Sequence, residues 1–274
     1  MGIETVSDNS LGSSEGGAGG ASSARATAAI RFRVVGPAAM LSHAEMARLF
    51  QRACARADIP VRYSEGFNPH PRLSLPLPRP VGVESDDELL VARLCDVSMT
   101  GSPSDLAGVQ AAMMRALAGQ LPAGIEVFDV TLAASNASFQ PRSAEYILPI
   151  RVREHPDLTA RLEDEIARVM NSEHCMVQRA SADRRTVRSI DVRPFLLSIR
   201  LQEDKLVVQH TMGDAGSIRV DEILQLFGLR TDDVEGPICR THVVWGTTRL
   251  QNTPEQPRAN GEAEDIEDGT RDVD

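Results

Sequence analysis

The chain has 274 residues, 42% of them apolar, a mean hydropathy of −0.20 and a formal charge of −10. That is enough apolar material for one or two ordinary cores, with no apolar run long enough to cross a membrane, so no membrane partner is expected. The charge is uneven: residues 251–274 carry −6 and residues 1–29 carry −2, so residues 30–250 are left at −2 and global acidity excludes no partner of that body.

Residues 1–29 are rich in Gly, Ser and Ala and cannot offset the entropy of ordering, so a disordered leader is expected there. No basic segment followed by an apolar one is present, and the cytoplasm is the expected compartment. Ile30 to Val35 reads as a strand ending at Gly36-Pro37. Ser42 with Glu45 three residues on forms a capping box, and Met46, Leu49, Phe50, Ala53 and Ala57 recur at helical spacing behind it.

Next come Ile59-Pro60-Val61 and a ten-residue polar loop from Tyr63 to Arg72. Leu73 to Leu77 alternates like an edge strand, since its proline cannot join a central ladder. A strand over Glu88 to Leu94, a helix over 103–119 and a strand over Ile125 to Leu132 complete the order βαββαβ. Phe139 to Ser143 reads as a boundary. Beyond it the order returns more loosely: strand 144–152, helix 157–170, strands 175–180, 194–201 and 205–212, helix 219–227, strand 238–245. The expected fold class is α+β, a tandem of ferredoxin-like (βαββαβ) sandwiches over 30–138 and 139–250, with a disordered acidic tail at 251–274.

The loop holds Tyr63, Ser64, Glu65, Phe67, Asn68, His70 and Arg72, kept out of any helix by Gly66, Pro69 and Pro71. His43 stands in the first turn of the capped helix, where the positive helix end attracts anions. If the first sheet brings the loop beside that helix end, His43, His70, Glu65, Tyr63 and Arg72 share a cleft. His43, His70 and Glu65 are then acid/base candidates. Arg72 is a phosphate ligand, and Tyr63 or Phe67 a platform for a base, with Ser64 and Asn68 as further binding groups.

Two imidazoles and a carboxylate suit several divalent ions, but their spacing does not specify a site, and no metal or other cofactor is expected. Cys54, Cys95, Cys175 and Cys239 form no Cys-x-x-Cys pair, so neither a zinc ribbon nor an iron–sulfur cluster is encoded.

Basic character is nearly all guanidinium, with Lys205 the one lysine. Arg179, Arg184, Arg185, Arg188 and Arg193 face only Asp183 and Asp191 nearby, which reads either as a phosphate-tracking stripe or as a solvated turn. Met212 to Arg219 has two glycines before a helix, which reads as an anion cradle or, better, as a turn plus N-cap, since it lacks the Gly-Lys-Ser/Thr core of a phosphate loop; Arg219 is its one guanidinium.

The stretch Tyr63-Ser64-Glu65-Gly66-Phe67-Asn68-Pro69-His70-Pro71-Arg72 resembles the signature of the radical-SAM-linked protein family, also known as the DUF2344 domain family. Leu41-Ser42-His43, Val81-Gly82-Val83-Glu84-Ser85, Ile190-Asp191-Val192-Arg193-Pro194 and Gly216-Ser217-Ile218-Arg219 extend the resemblance over about Ile30 to Trp245. Ala44-Glu45 and Val34-Val35 depart from the family's usual Leu-Asp and polar pair. The resemblance implies a radical SAM enzyme as partner. Three functions follow in order: an RNA-binding or RNA-modification accessory module, a protein-docking domain without catalysis, and a metal-independent ribonuclease.

Overall fold

The computed structural model describes residues 25–97, 102–152, 156–181, 185–213 and 216–249. Among these residues it is a mixed α+β structure with four α-helices and one large, mostly antiparallel sheet. Nearly all of the expected leader, the acidic tail, Arg184 and the turn at Asp214 lie outside the described residues.

The first strand, β1 (Arg25–Val34), starts five residues earlier than its apolar content suggests. Ala26, Ala28 and Ala29 are buried like Ile30 and Phe32, because small side chains suffice where a strand lies between two others. Residues 25–29 therefore belong to the sheet rather than to the leader. A 3₁₀ turn at Gly36–Met40 leads to α1 (His43–Arg56), whose capping box is formed as expected: Glu45 N donates to Ser42 Oγ, and Ser42 N to Glu45 Oε2. Met46, Phe50, Ala53 and Cys54 are its buried face, and Phe50 meets Phe32 edge-on at 4.6 Å between ring centres.

The expected edge strand shrinks to β2 (Leu73–Ser74), paired with Ala92 and Val91, because Pro76 and Pro78 supply no donors for a longer ladder. β3 (Glu84–Cys95), α2 (Pro103–Ala118), capped by Ser102, and β4 (Ile125–Ala134) complete this half. Gly124 is fixed by geometry: its φ is +88°, and a Cβ there would stand 2.4 Å from the Val35 carbonyl oxygen.

β5 (Ala137–Pro149) runs straight through the expected boundary at 139–143. After it come α3 (Pro156–Asn171), β6 (Met176–Ala180), β7 (Val187–Asp191), β8 (Leu196–Gln202), β9 (Lys205–Thr211), α4 (Val220–Leu226) and β10 (Cys239–Arg249). β6 and β7 form a separate two-stranded hairpin.

The strand order is β4-β1-β3-β10-β5-β9-β8, with β2 beside β3. The two halves are therefore not separate sheets: they join where β10 lies parallel to β3, through Cys239 opposite Glu84 and Arg240 opposite Ser85. The main cores nevertheless divide by half. One surrounds Ile30, Phe32, Phe50, Leu90 and Leu117, the other Leu148, Leu162, Leu206, Ile218 and Ile223. Each such side chain contributes about 1.5–3 kcal/mol by leaving water. At the junction between these cores the polar groups Ser85, Glu88, Arg240 and Thr241 are buried.

Candidate functional site

Two regions carry chemistry. The first is the signature loop, which folds as a hairpin projecting from the outer side of β3. Tyr63 bridges Pro71, Ser64 N donates to the His70 carbonyl at 2.8 Å, and His70 N donates to Ser64 Oγ at 2.9 Å. Arg72 N and Arg62 N tie its stem to Arg62 O and Arg93 O, each at 2.7 Å. Gly66 turns the tip at a φ of +117°.

This backbone pairing holds the tip out in water. Phe67 is 112% exposed and Tyr63 53%. Glu65, Asn68, His70 and Arg72 are also exposed, Ser64 half so. Beneath them three guanidiniums gather: burial lowers the pKa of Arg93, and the positive charges of Arg62 and Arg72 lower it further. Arg93 itself is occupied, donating to Thr27 Oγ1 and to the carbonyls of Ser135 and Ala137. Among the described residues no carboxylate pairs with Arg62 or Arg72.

His43 is exposed at the first turn of α1 and borders a shallow dent with Ser42, Met46, Leu75 and Leu77, in which no residue of 63–72 takes part. Neither this dent nor the clefts at residues 77–83, 157–161 and 140–142 is lined by both His43 and His70.

The arginine stripe divides. Arg179 forks onto the buried Glu222 of α4 and donates to the Ser217 carbonyl at 2.7 Å. Arg193 donates to the carbonyls of Met170, Ser172 and Leu196, closing the end of α3. Asp191 accepts from Cys175 N and lies 2.7 Å from His174 Nδ1; the Cys175 N–H first, then His174, hold its carboxyl below the usual range. Arg188 and Arg185 are exposed on β7 and the turn before it, and Arg219 is exposed at the start of α4.

The second region is a cleft of about 840 Å³ at the junction of the halves. One wall is the β2–β3 connection, Leu77 to Val83. The others are α4 and the segment leading into β10, and Tyr146 and Arg240 lie at the bottom. Arg240 is 1% exposed. Its Nη2 donates to Glu88 Oε1 at 2.5 Å and its Nη1 to the Pro78 carbonyl at 3.1 Å, while Nε has no partner among the described residues. Burial works against the Arg240 charge, but the Glu88 carboxylate and the Tyr146 hydroxyl outweigh it, and its pKa is raised.

Tyr146 stacks on His210 at 5.1 Å with the rings 3° from parallel. His210 is fully buried; burial first, with Arg240 adding, takes its pKa down to about 4, so it is neutral near pH 7. Arg79 donates to the carbonyls of Ala39, Leu41, Pro80 and Val83 and so fastens the wall to the 3₁₀ turn.

None of Arg79, Glu88, Tyr146, His210 and Arg240 stands out in sequence. The one available signal was Asp87-Glu88 leading directly into the apolar run Leu89-Leu90-Val91 of a buried strand. Burial pushes the thiols of Cys54 and Cys239 up to about 11 and about 12, away from nucleophilic use. Among the described residues no group of three or more His, Cys, Asp and Glu side chains could hold a metal ion, and no helix is long and apolar enough to cross a membrane.

A family described as an uncharacterized protein conserved in bacteria, DUF2344, matches residues 28–220, which takes in both the hairpin and most of the cleft. No curated protein matches the sequence. Among solved structures, the regulatory subunit of aspartate kinase from Thermus flavus is similar at 12% identity, covering 75% of this chain and 92% of that one, with a TM-score of 0.21. A score that low supports no argument from one fold to the other.

Proposed function

We propose, from the premise that this chain belongs to the DUF2344 family of bacterial proteins, that it is an RNA-binding accessory module that offers its 62–72 hairpin to a single strand. The observation that carries the reading is an exposed aromatic pair on the same hairpin as two arginines that meet no carboxylate among the described residues: Phe67 fully exposed at the tip and Tyr63 half-exposed below it, with Arg62 and Arg72 in the stem. Exposed aromatic faces stack on bases whatever the sequence, and guanidiniums follow the phosphates. Arg188 on the second hairpin is an additional phosphate contact in this reading.

The orders β4-β1-β3-β2 and β10-β5-β9-β8 each place the strand that opens the half next to its last strand, as a ferredoxin-like unit does. On that view the β6–β7 hairpin is an insertion in the second unit. The family resemblance makes a radical SAM enzyme the partner that would act on the RNA held here. No cleavage is proposed, since the dent beside His43 takes in no residue of the 63–72 loop.

The test is fluorescence anisotropy of a labelled single-stranded 12-mer with the full chain. Phe67→Ala should weaken binding roughly tenfold, the loss of one stacked base. Arg62→Ala with Arg72→Ala should flatten the salt dependence by about 1.4, at about 0.7 per lost phosphate contact on a single strand. Absence of wild-type binding at low salt, or an unchanged affinity in Phe67→Ala, removes the proposal and leaves protein docking as the use of the hairpin.

A further inference from the structure

We infer that the junction cleft is a binding site for a small monoanion with an apolar body, a hydrocarbon or aromatic acid, whose acidic oxygen is taken by Arg240. Size comes first. About 840 Å³ is the volume of a pocket that encloses a small organic molecule, and it lies between two structural halves, where such sites recur. Its lining is mostly apolar: Leu77, Val83, Ile218, Val220, Leu224 and Ile238 supply walls that a nucleotide phosphate chain would not use.

Polarity is confined to a few points, which is how such a pocket orients its occupant. The decisive one is Arg240. A guanidinium that is 99% withdrawn from water has every reason to fill its donors, yet Nε is without a hydrogen-bond partner while the residue lines the cleft. An acceptor brought in by a ligand completes it.

Charge gives the class. The charged residues lining the cleft are Arg79, Arg219, Arg240 and Asp221; Glu88 behind them is already committed to Arg240. Two buried or half-buried guanidiniums thus share one carboxylate, and Arg79 and Arg240 each feel the other's charge, as the lowered pKa of Arg79 shows: burial is the main cause, and Arg240 contributes. One negative charge on the ligand balances this excess, whereas a dianion would overshoot it and a cation would be repelled. A neighbouring cleft of about 520 Å³ shares Leu77, Met212 and Ser217 with the first and adds Arg142, so an elongated apolar body has room to extend there.

This site is independent of the RNA-binding hairpin, and its test does not touch that reading. The probe is anilinonaphthalene sulfonate, an aromatic monoanion that fluoresces on leaving water, against uncharged N-phenylnaphthylamine. The full chain should bind the sulfonate saturably at one site, with decanoate competing and decanol competing at least tenfold less well. Leu224→Trp fills the cleft from α4 and should weaken both probes at least tenfold.

Val81 is 56% exposed at the rim, so Val81→Asp leaves folding intact; it should weaken the sulfonate on the order of fivefold and leave the neutral probe unchanged. Phe67→Ala should change neither. Absence of single-site saturation, equal affinity for the two probes, or indifference of both probes to Leu224→Trp and Val81→Asp each overturns the inference.

Discussion

Each half of the molecule inserts a hairpin between its first helix and the strand that follows, and the two hairpins use arginine in opposite ways. In the first half, residues 62–72 hang from β3 by backbone bonds, and Arg62 and Arg72 meet no carboxylate among the described residues. In the second, β6–β7 is bound down onto α4: Arg179 forks onto Glu222, and Arg193 is spent on carbonyls at the end of α3. Both segments read alike as basic, turn-rich sequence. What separates them is a single acid placed 43 residues away, at Glu222. An arginine braces where the fold supplies a buried carboxylate, as at Glu222, or unfilled carbonyls, as at the end of α3, and is left for a partner where it supplies neither.

The halves meet through a third use of arginine, and the largest expected effect lies there. Glu88→Ala strands the Arg240 charge in a site almost closed to water, which should cost about 3–5 kcal/mol in urea unfolding. Arg240→Met with Glu88→Leu should recover most of that loss, since the apolar pair leaves no charge behind. If the single change costs under about 1 kcal/mol, the junction is more hydrated than its burial implies. The halves would then unfold as neighbours rather than as one unit.

The next effect separates the second half from the first by pH. His210 lies wholly within the second core, and its folded pKa of about 4 stands below the ordinary 6.5. Between those values the unfolded chain binds a proton that the folded chain refuses, so stability rises with pH over that window and is lost as pH falls through it. The loss should approach about 3 kcal/mol at pH 4, at about 1.4 kcal/mol per pH unit. His210→Phe, which keeps the stack on Tyr146, should flatten the slope between pH 6.5 and 4. An equally steep slope in the variant would place the titration on other groups.

Local features of this fold were legible in sequence; those made by distant residues were not. The capping box at Ser42 and Glu45 and the buried face of α1 follow from three- and four-residue spacings that any solvent-facing helix obeys. That residues 63–72 form a loop and no helix was legible because Gly66, Pro69 and Pro71 constrain the backbone by themselves; that the loop pairs as a hairpin, Tyr63 with Pro71 and Ser64 with His70, was not. The start of β1 was missed because Ala26, Ala28 and Ala29 carry little hydrophobic signal, and burial there is imposed by β3 and β4 on either side. Pairing of Arg179 with Glu222 and of Arg240 with Glu88 joins segments 43 and 152 residues apart, a register set by tertiary packing. The junction cleft is legible only once those pairs are known.

The smallest effect returns to the two hairpins and asks what holds each in shape. Both use a serine hydroxyl across the turn: Ser64 Oγ accepts from His70 N at 2.9 Å, and Ser181 Oγ accepts from Thr186 N at 3.1 Å. In the first hairpin this bond and backbone contacts are the support found among the described residues, and Glu65 to His70 are all exposed. Losing one such bond in Ser64→Ala should release about 1 kcal/mol locally and speed amide exchange at His70 roughly fivefold, with global stability unchanged. In the second hairpin Arg179 is anchored independently on α4, so Ser181→Ala should alter exchange at Thr186 by less than about twofold. A large response at Thr186 would mean that the docked hairpin is as self-supporting as the free one, and that the brace on Glu222 orders only its own side chain.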